Sequence, residues 1–294
     1  MKLRLNRNIL DLLEGAIDIH IHSAPDVYPR LLNDIELALQ AKEMGMRAIL
    51  IKNHFFETAS RAQLATAAAD FPVFGGLALN LSVGGLNPHA ARIALKMGAK
   101  TIWMPTLHAR EFVANKSHVA NLAGEIGSDL SGVYILNEEG SLKEEVYPIF
   151  DLIIESNSSL ATGHLSKAEA KVLVREAAEY GVKKIIITHP MASFVNYSVE
   201  EMKEILDAGA TFLEHVFNDT TRQVGHPISR ETLFNGIKAV GVDHCIMSTD
   251  AGQWLNPAPA HQMGIYIGDM LNFGFSAKEI RRMVSENPAD MLGI

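Results

Sequence analysis

The chain has little that would assign its class at a glance. It holds a single cysteine, Cys245, so no intrachain disulfide can form, which suits a reducing compartment. It has no run of about 18 apolar residues, the length that a membrane span needs. Residues 1–13 scatter Lys2, Arg4, Arg7 and Asp11 among leucines, so the long apolar core of a signal peptide is missing. The cytoplasm is therefore the expected location. Positive charge is in deficit, with 26 Lys and Arg against 34 Asp and Glu and a formal net charge of −8, which argues against nucleic acid as a partner. No G-x-G-x-x-G follows the first apolar run, which weakens a dinucleotide-binding reading. No Pro/Ser/Gly-rich linker divides the 294 residues, so residues 1–294 are expected to form one domain.

What is present is a regular alternation of short apolar runs and helical patterns. Strands are expected at 17–22, 47–52, 72–79, 100–104, 159–162, 184–188, 211–214 and 245–249. Helices are expected at 8–14, 32–44, 59–70, 88–97, 142–155, 167–180, 200–208, 230–240, 261–272 and 276–284. Residues 105–117 read as a long loop, and 133–141 as a small hairpin or inserted excursion. The strands are continuous apolar runs, such as Ile49-Leu50-Ile51 and Ile185-Ile186-Ile187, which belong to parallel sheets covered by helices. Eight such units favour an α/β fold of the distorted TIM-type (β/α)8 barrel class, with extra terminal helices.

Four histidines and one aspartate then stand at strand ends. In residues 17–22, Ile17, Ile19 and Ile21 alternate with Asp18, His20 and His22, so His20 and His22 are expected on one side of the strand. His164 follows the fifth strand, His189 ends the sixth, and Asp250 ends the eighth. In a barrel all of these meet at the carboxyl-end mouth, where active sites form. A His-rich set with one carboxylate suits a divalent metal, zinc first, with manganese, iron or nickel behind it. Such an ion acidifies water and polarises a carbonyl. Asp250 is the candidate to take and return the proton.

The run Asp18-Ile19-His20-Ile21-His22, the single histidines after the fifth and sixth strands, and Thr249-Asp250 together resemble the amidohydrolase superfamily of metal-dependent hydrolases. The closing Glu286-Asn287-Pro288-Ala289-Asp290-Met291-Leu292-Gly293-Ile294 is similar to that superfamily's last helix. The resemblance covers nearly the whole chain, without room for the β-sandwich that many members carry. It implies that His20, His22, His164 or His189, and Asp250 ligate metal, with Asp250 also transferring the proton. His189 could instead hold a second ion or orient the water. Binuclear members place a bridging lysine or glutamate at the end of the fourth strand, whereas here that strand runs into Trp103-Met104-Pro105. Lys52, after the second strand, is a candidate for substrate binding or catalysis, and for metal bridging second. One ion is favoured, two remain open.

His54 and His108 also follow strand ends and are candidates for the mouth. Arg30 and Arg110 are candidates for a substrate carboxylate. Glu214 and His215 are placed at the end of the seventh strand as pocket shapers, with Asn218 and Asp219 behind them. His89, His118, His226, His244 and His261 read as structural or solvent-facing. The favoured function is a metal-dependent hydrolase acting on an amide, cyclic amide, lactone or ester of a small, anionic substrate. A metal-dependent decarboxylase of aromatic or unsaturated acids is the alternative, followed by a non-catalytic metal- or metabolite-binding barrel. Homo-oligomers are expected by analogy alone.

Overall fold

The computed structural model describes residues 5–114 and 132–294. The readings made of Lys2, Arg4 and His118, and of the last part of the 105–117 loop, lie outside the described residues. Nine strand segments are seen: β1 (Ile17–Ile21), β2 (Ala48–Ile51), β3 (Val73–Phe74), β4 (Gly76–Ala78), β5 (Thr101–Trp103), β6 (Ser159–Ala161), β7 (Ile185–Thr188), β8 (Phe212–Val216) and β9 (Cys245–Ser248). The helices are α1 (Arg7–Leu13), α2 (Asp34–Glu43), α3 (Ala59–Ala69), α4 (Pro88–Lys96), α5 (Arg110–Ala114), α6 (Tyr147–Ser156), α7 (Lys167–Tyr180), α8 (Val199–Asp207), α9 (Arg230–Val240), α10 (Pro259–Asn272), α11 (Ala277–Arg281) and α12 (Asn287–Leu292). Among the described residues, no helix is long and apolar enough to cross a membrane.

All strand pairs are parallel, in the orders β1-β2-β3 and β4-β5-β6-β7-β8-β9. The expected third strand, 72–79, is thus two segments. Gly75 divides them, because Thr58 occupies the space beside it and a Cβ there would run into the Thr58 backbone. The Thr58 hydroxyl replaces the missing ladder bonds, donating to the Ile51 carbonyl (2.7 Å) and accepting from the Gly76 amide (2.9 Å). At the other seam, β9 returns to β1. The Asp250 amide donates to the His20 carbonyl and the His22 amide to the Ala251 carbonyl, both at 2.8 Å.

His20 and His22 do reach the same oxygen of Asp250, but strict alternation does not hold along β1. Its pairing with β2 shifts register between Asp18 and Ile21, a bulge that re-aims side chains. Ile17 and Ile19 pack in the barrel lumen with Trp103, Ile186 and Phe212, whereas Ile21 joins the outer layer between sheet and helices. Asp18 inserts into the seam, where its carboxylate accepts from the Thr249 amide (3.2 Å) and hydroxyl (2.5 Å). Met291 and Leu292 of α12 complete this apolar cluster at the lumen's amino end. Helix ends follow local chemistry. Ser166 and Glu169 form a capping box at the start of α7, and Gly181 closes it in the left-handed region. The helix expected at 142–155 starts as a 3-10 turn, Glu144–Val146, before α6.

Candidate metal centre

The carboxyl ends of the strands carry the polar groups. His20, His22, Lys52, His54, His164 and His189 are all buried there. Two site residues sit in the left-handed backbone region, His189 (φ 52°) and Asp250 (φ 52°). That conformation costs a non-glycine residue about 1–2 kcal/mol, and such strain collects at functional sites. Glycine permits close approach beside them. A Cβ at Gly163 would strike the Met104 and Pro105 carbonyl oxygens, and one at Gly252 would strike the His22 carbonyl.

Among the described residues, His20, His189 and Asp250 bring one ligand atom each within 4.8 Å of one another. His22 joins from the side, its Nε2 3.0 Å from Asp250 Oδ1, while His20 Nε2 lies 3.4 Å from the same oxygen. His164 is the most peripheral, with its ring 5.5 Å from that of His189 and against Phe112 and Phe194. Two histidines are oriented from behind. His20 Nδ1 meets Glu214 Oε1 at 3.0 Å, and His189 Nδ1 meets Asp219 Oδ1 at 2.9 Å. With Nδ1 engaged, each has Nε2 as its remaining ligand atom, and that of His20 also lies 3.0 Å from the Lys52 amine. Glu214 is itself held by the Ser248 hydroxyl (2.9 Å).

The electrostatics follow these partners. Burial favours neutral Asp250, yet the His20 and His22 imidazoles hold it well below the usual carboxylate range. Burial lowers His189 but the Asp219 carboxylate reverses this, so its net shift is upward. Burial, with the Arg30 charge behind it, takes His22 down to about 4. Asp250 Oδ2 accepts from the Asn218 side-chain amide at 3.2 Å, so its two oxygens have different neighbours.

A cavity of about 360 Å3 opens above this cluster. His20, His22, His54, His164, His189 and Asp250 form its polar floor. Arg30 lines it too, on a loop clamped by Arg61, whose Nε and Nη2 fork onto Asp34 at 2.8 and 2.7 Å. Arg30 Nε is bonded to Asp26 Oδ2 (2.7 Å). His54 stacks on His22 (centroids 4.8 Å apart) with Nδ1 2.8 Å from the Thr106 hydroxyl.

Five expectations need correction. Lys52 does not line the cavity. The Lys52 amide is paired with the Ile21 carbonyl (2.7 Å), and its amine lies beneath the floor, 3.0 Å from His20 Nε2 and 5.2 Å from the Trp103 ring. Burial lowers its pKa to about 8, against the carboxylates of Asp250, Glu214 and Asp219. His108 lies behind Phe55 and does not reach the cavity, because Asn80 accepts its backbone amide and turns the loop. Arg110 lies over the Tyr134 ring (4.9 Å) in a separate depression. Glu214 is not at the end of its strand, which runs on to Val216, and it supports His20 rather than shaping the wall. His215 is turned away from the cavity altogether.

Sequence reasoning missed Asn80, which donates to the His54 carbonyl and the Thr106 hydroxyl and accepts from the Thr106 and His108 amides. Its position directly after β4 was the available signal. It undervalued Asp219, which shows only through its pairing with a residue 30 positions earlier.

A profile of the family DUF6282, described as a family of unknown function, matches residues 15–213. No curated protein matches the sequence. Among solved structures, an amidohydrolase from Pseudomonas aeruginosa superposes with a TM-score of 0.58 at 13% identity, over 97% of this chain and 98% of its own. An organophosphorus hydrolase from Deinococcus radiodurans gives 0.59 at 15% identity, over 95% of this chain and 92% of its own. A probable 2-pyrone-4,6-dicarboxylic acid hydrolase from Acinetobacter baumannii, with citric acid bound, gives 0.56 at 14% identity, over 95% of this chain and 100% of its own. At such identities the likeness is one of fold. The fold is the TIM-type barrel of the amidohydrolases.

Proposed function

The chain belongs to the DUF6282 family, and we propose that it is a metal-dependent hydrolase of the amidohydrolase type. Its substrate would be an amide, cyclic amide, lactone or ester with an anionic group. One observation carries the reading: His20, His189 and Asp250 converge, while Glu214 and Asp219 fix the far nitrogens of the two imidazoles. This is the donor set of a divalent cation with its supporting carboxylates, and it fits zinc. His20, His189 and Asp250 would hold one ion, with His22 and His164 flanking it. When bound, such an ion supplies Lewis acidity to a carbonyl and lowers the pKa of water.

The chain's own groups divide the remaining work. Asp250 stays ionised beside the imidazoles, so it can accept a proton and return it to a leaving group. Asn218 holds its Oδ2 in place for that transfer. Arg30 is fixed by Asp26 through Nε, which leaves its two Nη groups to receive a substrate anion in a planar fork. Lys52 keeps one positive charge under three carboxylates and does not touch substrate. A PTE-like lactonase and a dihydroorotase among the structural neighbours support this reading.

Elemental analysis and an anomalous-scattering map of the zinc-reconstituted protein test the reading. One ion per chain between His20, His189 and Asp250 is expected. A protein that binds no divalent metal at this cluster overturns it.

A further inference from the structure

The cavity above the cluster has a mouth built unlike its floor. Trp254 and Leu255 line it and are 60% and 69% exposed. Two large apolar side chains side by side in water are costly unless something covers them. They are not on a loose loop. The Asn256 amide donates back to the Gln253 carbonyl (3.0 Å), closing a turn. The Asn256 side-chain amide reaches Gln223 Oε1 and Gln253 Oε1 (both 3.0 Å) and Asn218 Oδ1 (3.3 Å). Gln253 Nε2 donates to the Asp250 carbonyl at 2.8 Å. Polar groups at the base thus hold the apolar tip over the cavity, one residue group away from Asp250 itself. Below the tip, Leu107, Phe112, Phe194 and Val224 line the same cavity, and the Phe112 and Phe194 rings touch that of His164 (4.7 and 4.9 Å). An apolar surface therefore leads from the histidines of the candidate metal centre to the rim, with Arg30 as the one Lys or Arg lining it among the described residues.

We propose that the 253–256 turn is a recognition element for an aliphatic acyl arm, so that the substrate is an acyl compound with an apolar chain and not a fully polar metabolite. The proposal rests on the hydrolase reading for where the carbonyl sits. The arm is placed by the turn itself. Trp254 and Leu255 are specificity-determining residues that grip the outer part of the chain, and the two phenylalanines hold its inner part.

Calorimetric titration of the zinc-loaded full chain with acetate, butanoate, hexanoate and octanoate tests this without any need for turnover. Affinity should rise about fourfold per added methylene along the series. Trp254→Ala/Leu255→Ala should flatten the gain for the longer chains and leave acetate binding unchanged, and Trp254→Phe should largely restore it. Affinity independent of chain length, or a full gain kept by the double variant, overturns the proposal. So does a dimer that the double variant dissociates with octanoate binding unchanged, because a second copy would then be what covers the turn. Hydrolysis of short acyl esters and lactones is assayed separately. Its absence alongside an intact chain-length series would strike the hydrolase reading and spare the arm site.

Discussion

Two regions of this barrel bury histidine, and they differ in the partners that they offer it. At the carboxyl-end mouth, His20, His54 and His189 each engage Nδ1 with Glu214, Thr106 or Asp219. In the layer between sheet and helices, His215 is equally buried, yet neither ring nitrogen has a hydrogen-bond partner among the described residues. The contrast is sharpest on β8 itself. Glu214 and His215 are neighbours, and the strand's period of two sends them to opposite faces. The inward one fixes His20, and the outward one is packed in apolar surroundings. Burial therefore does not separate working histidines from structural ones. At the mouth a carboxylate on Nδ1 marks His20 and His189, whereas His22 and His164 have no Nδ1 partner among the described residues and belong to the site by position.

The largest effect that this difference predicts is at Asp250, where the His20 and His22 imidazoles converge. Asp250→Asn keeps the shape and removes the charge. Turnover of a lactone or ester should fall by roughly 10^3-fold or more, with a melting curve close to that of the unaltered chain. Full activity in the variant would remove Asp250 from the chemistry and the mouth's special status with it. The next effect is at Glu214. Glu214→Gln should weaken zinc binding by about 10-fold or more, as for other supporting carboxylates, measured by competition with a chelator. The His20 tautomer would no longer be enforced by a charged acceptor. Unchanged affinity would make Glu214 no more than packing.

The same contrast explains what the sequence made legible. Strand ends are readable because apolar runs stop there, so His20, His22, His164, His189 and Asp250 were found together and do gather at one mouth. Helix α7 covers the expected 167–180, with Gly181 as its stop. What was not legible depends on which way a strand end turns. His108 and Arg110 follow a strand in the same manner as His54, yet Asn80 captures the loop's amides and sends both elsewhere. Lys52 is a candidate for substrate binding or catalysis because it ends the second strand. The parallel ladder fixes its amide at the level of Ile21, and the amine ends under His20. The β1 bulge was invisible because it depends on Asp18 bonding to Thr249, 231 positions away. Glu214 and Asp219 are named as neighbours of the pocket, but their supporting role shows only through pairings with His20 and His189, 194 and 30 positions away.

The smallest effect belongs to His215, and it is one of stability. Burial takes its pKa from 6.5 to about 3. Between those values the unfolded chain takes up a proton that the folded chain refuses, so the unfolded state binds more protons and stability falls as pH falls. The loss through this one residue approaches ~1.4 kcal/mol per pH unit within that window and vanishes above it. His215→Leu removes the titration and keeps an apolar side chain in an apolar layer. The variant should equal the unaltered chain in zinc affinity and turnover at pH 8, and should gain on it steadily in urea unfolding from pH 6 to pH 4. A variant that loses metal would join His215 to the mouth and dissolve the distinction between the two faces of β8. A stability difference independent of pH would mean that the imidazole is solvated in the folded protein, and that the outer layer protects its histidine no better than water does.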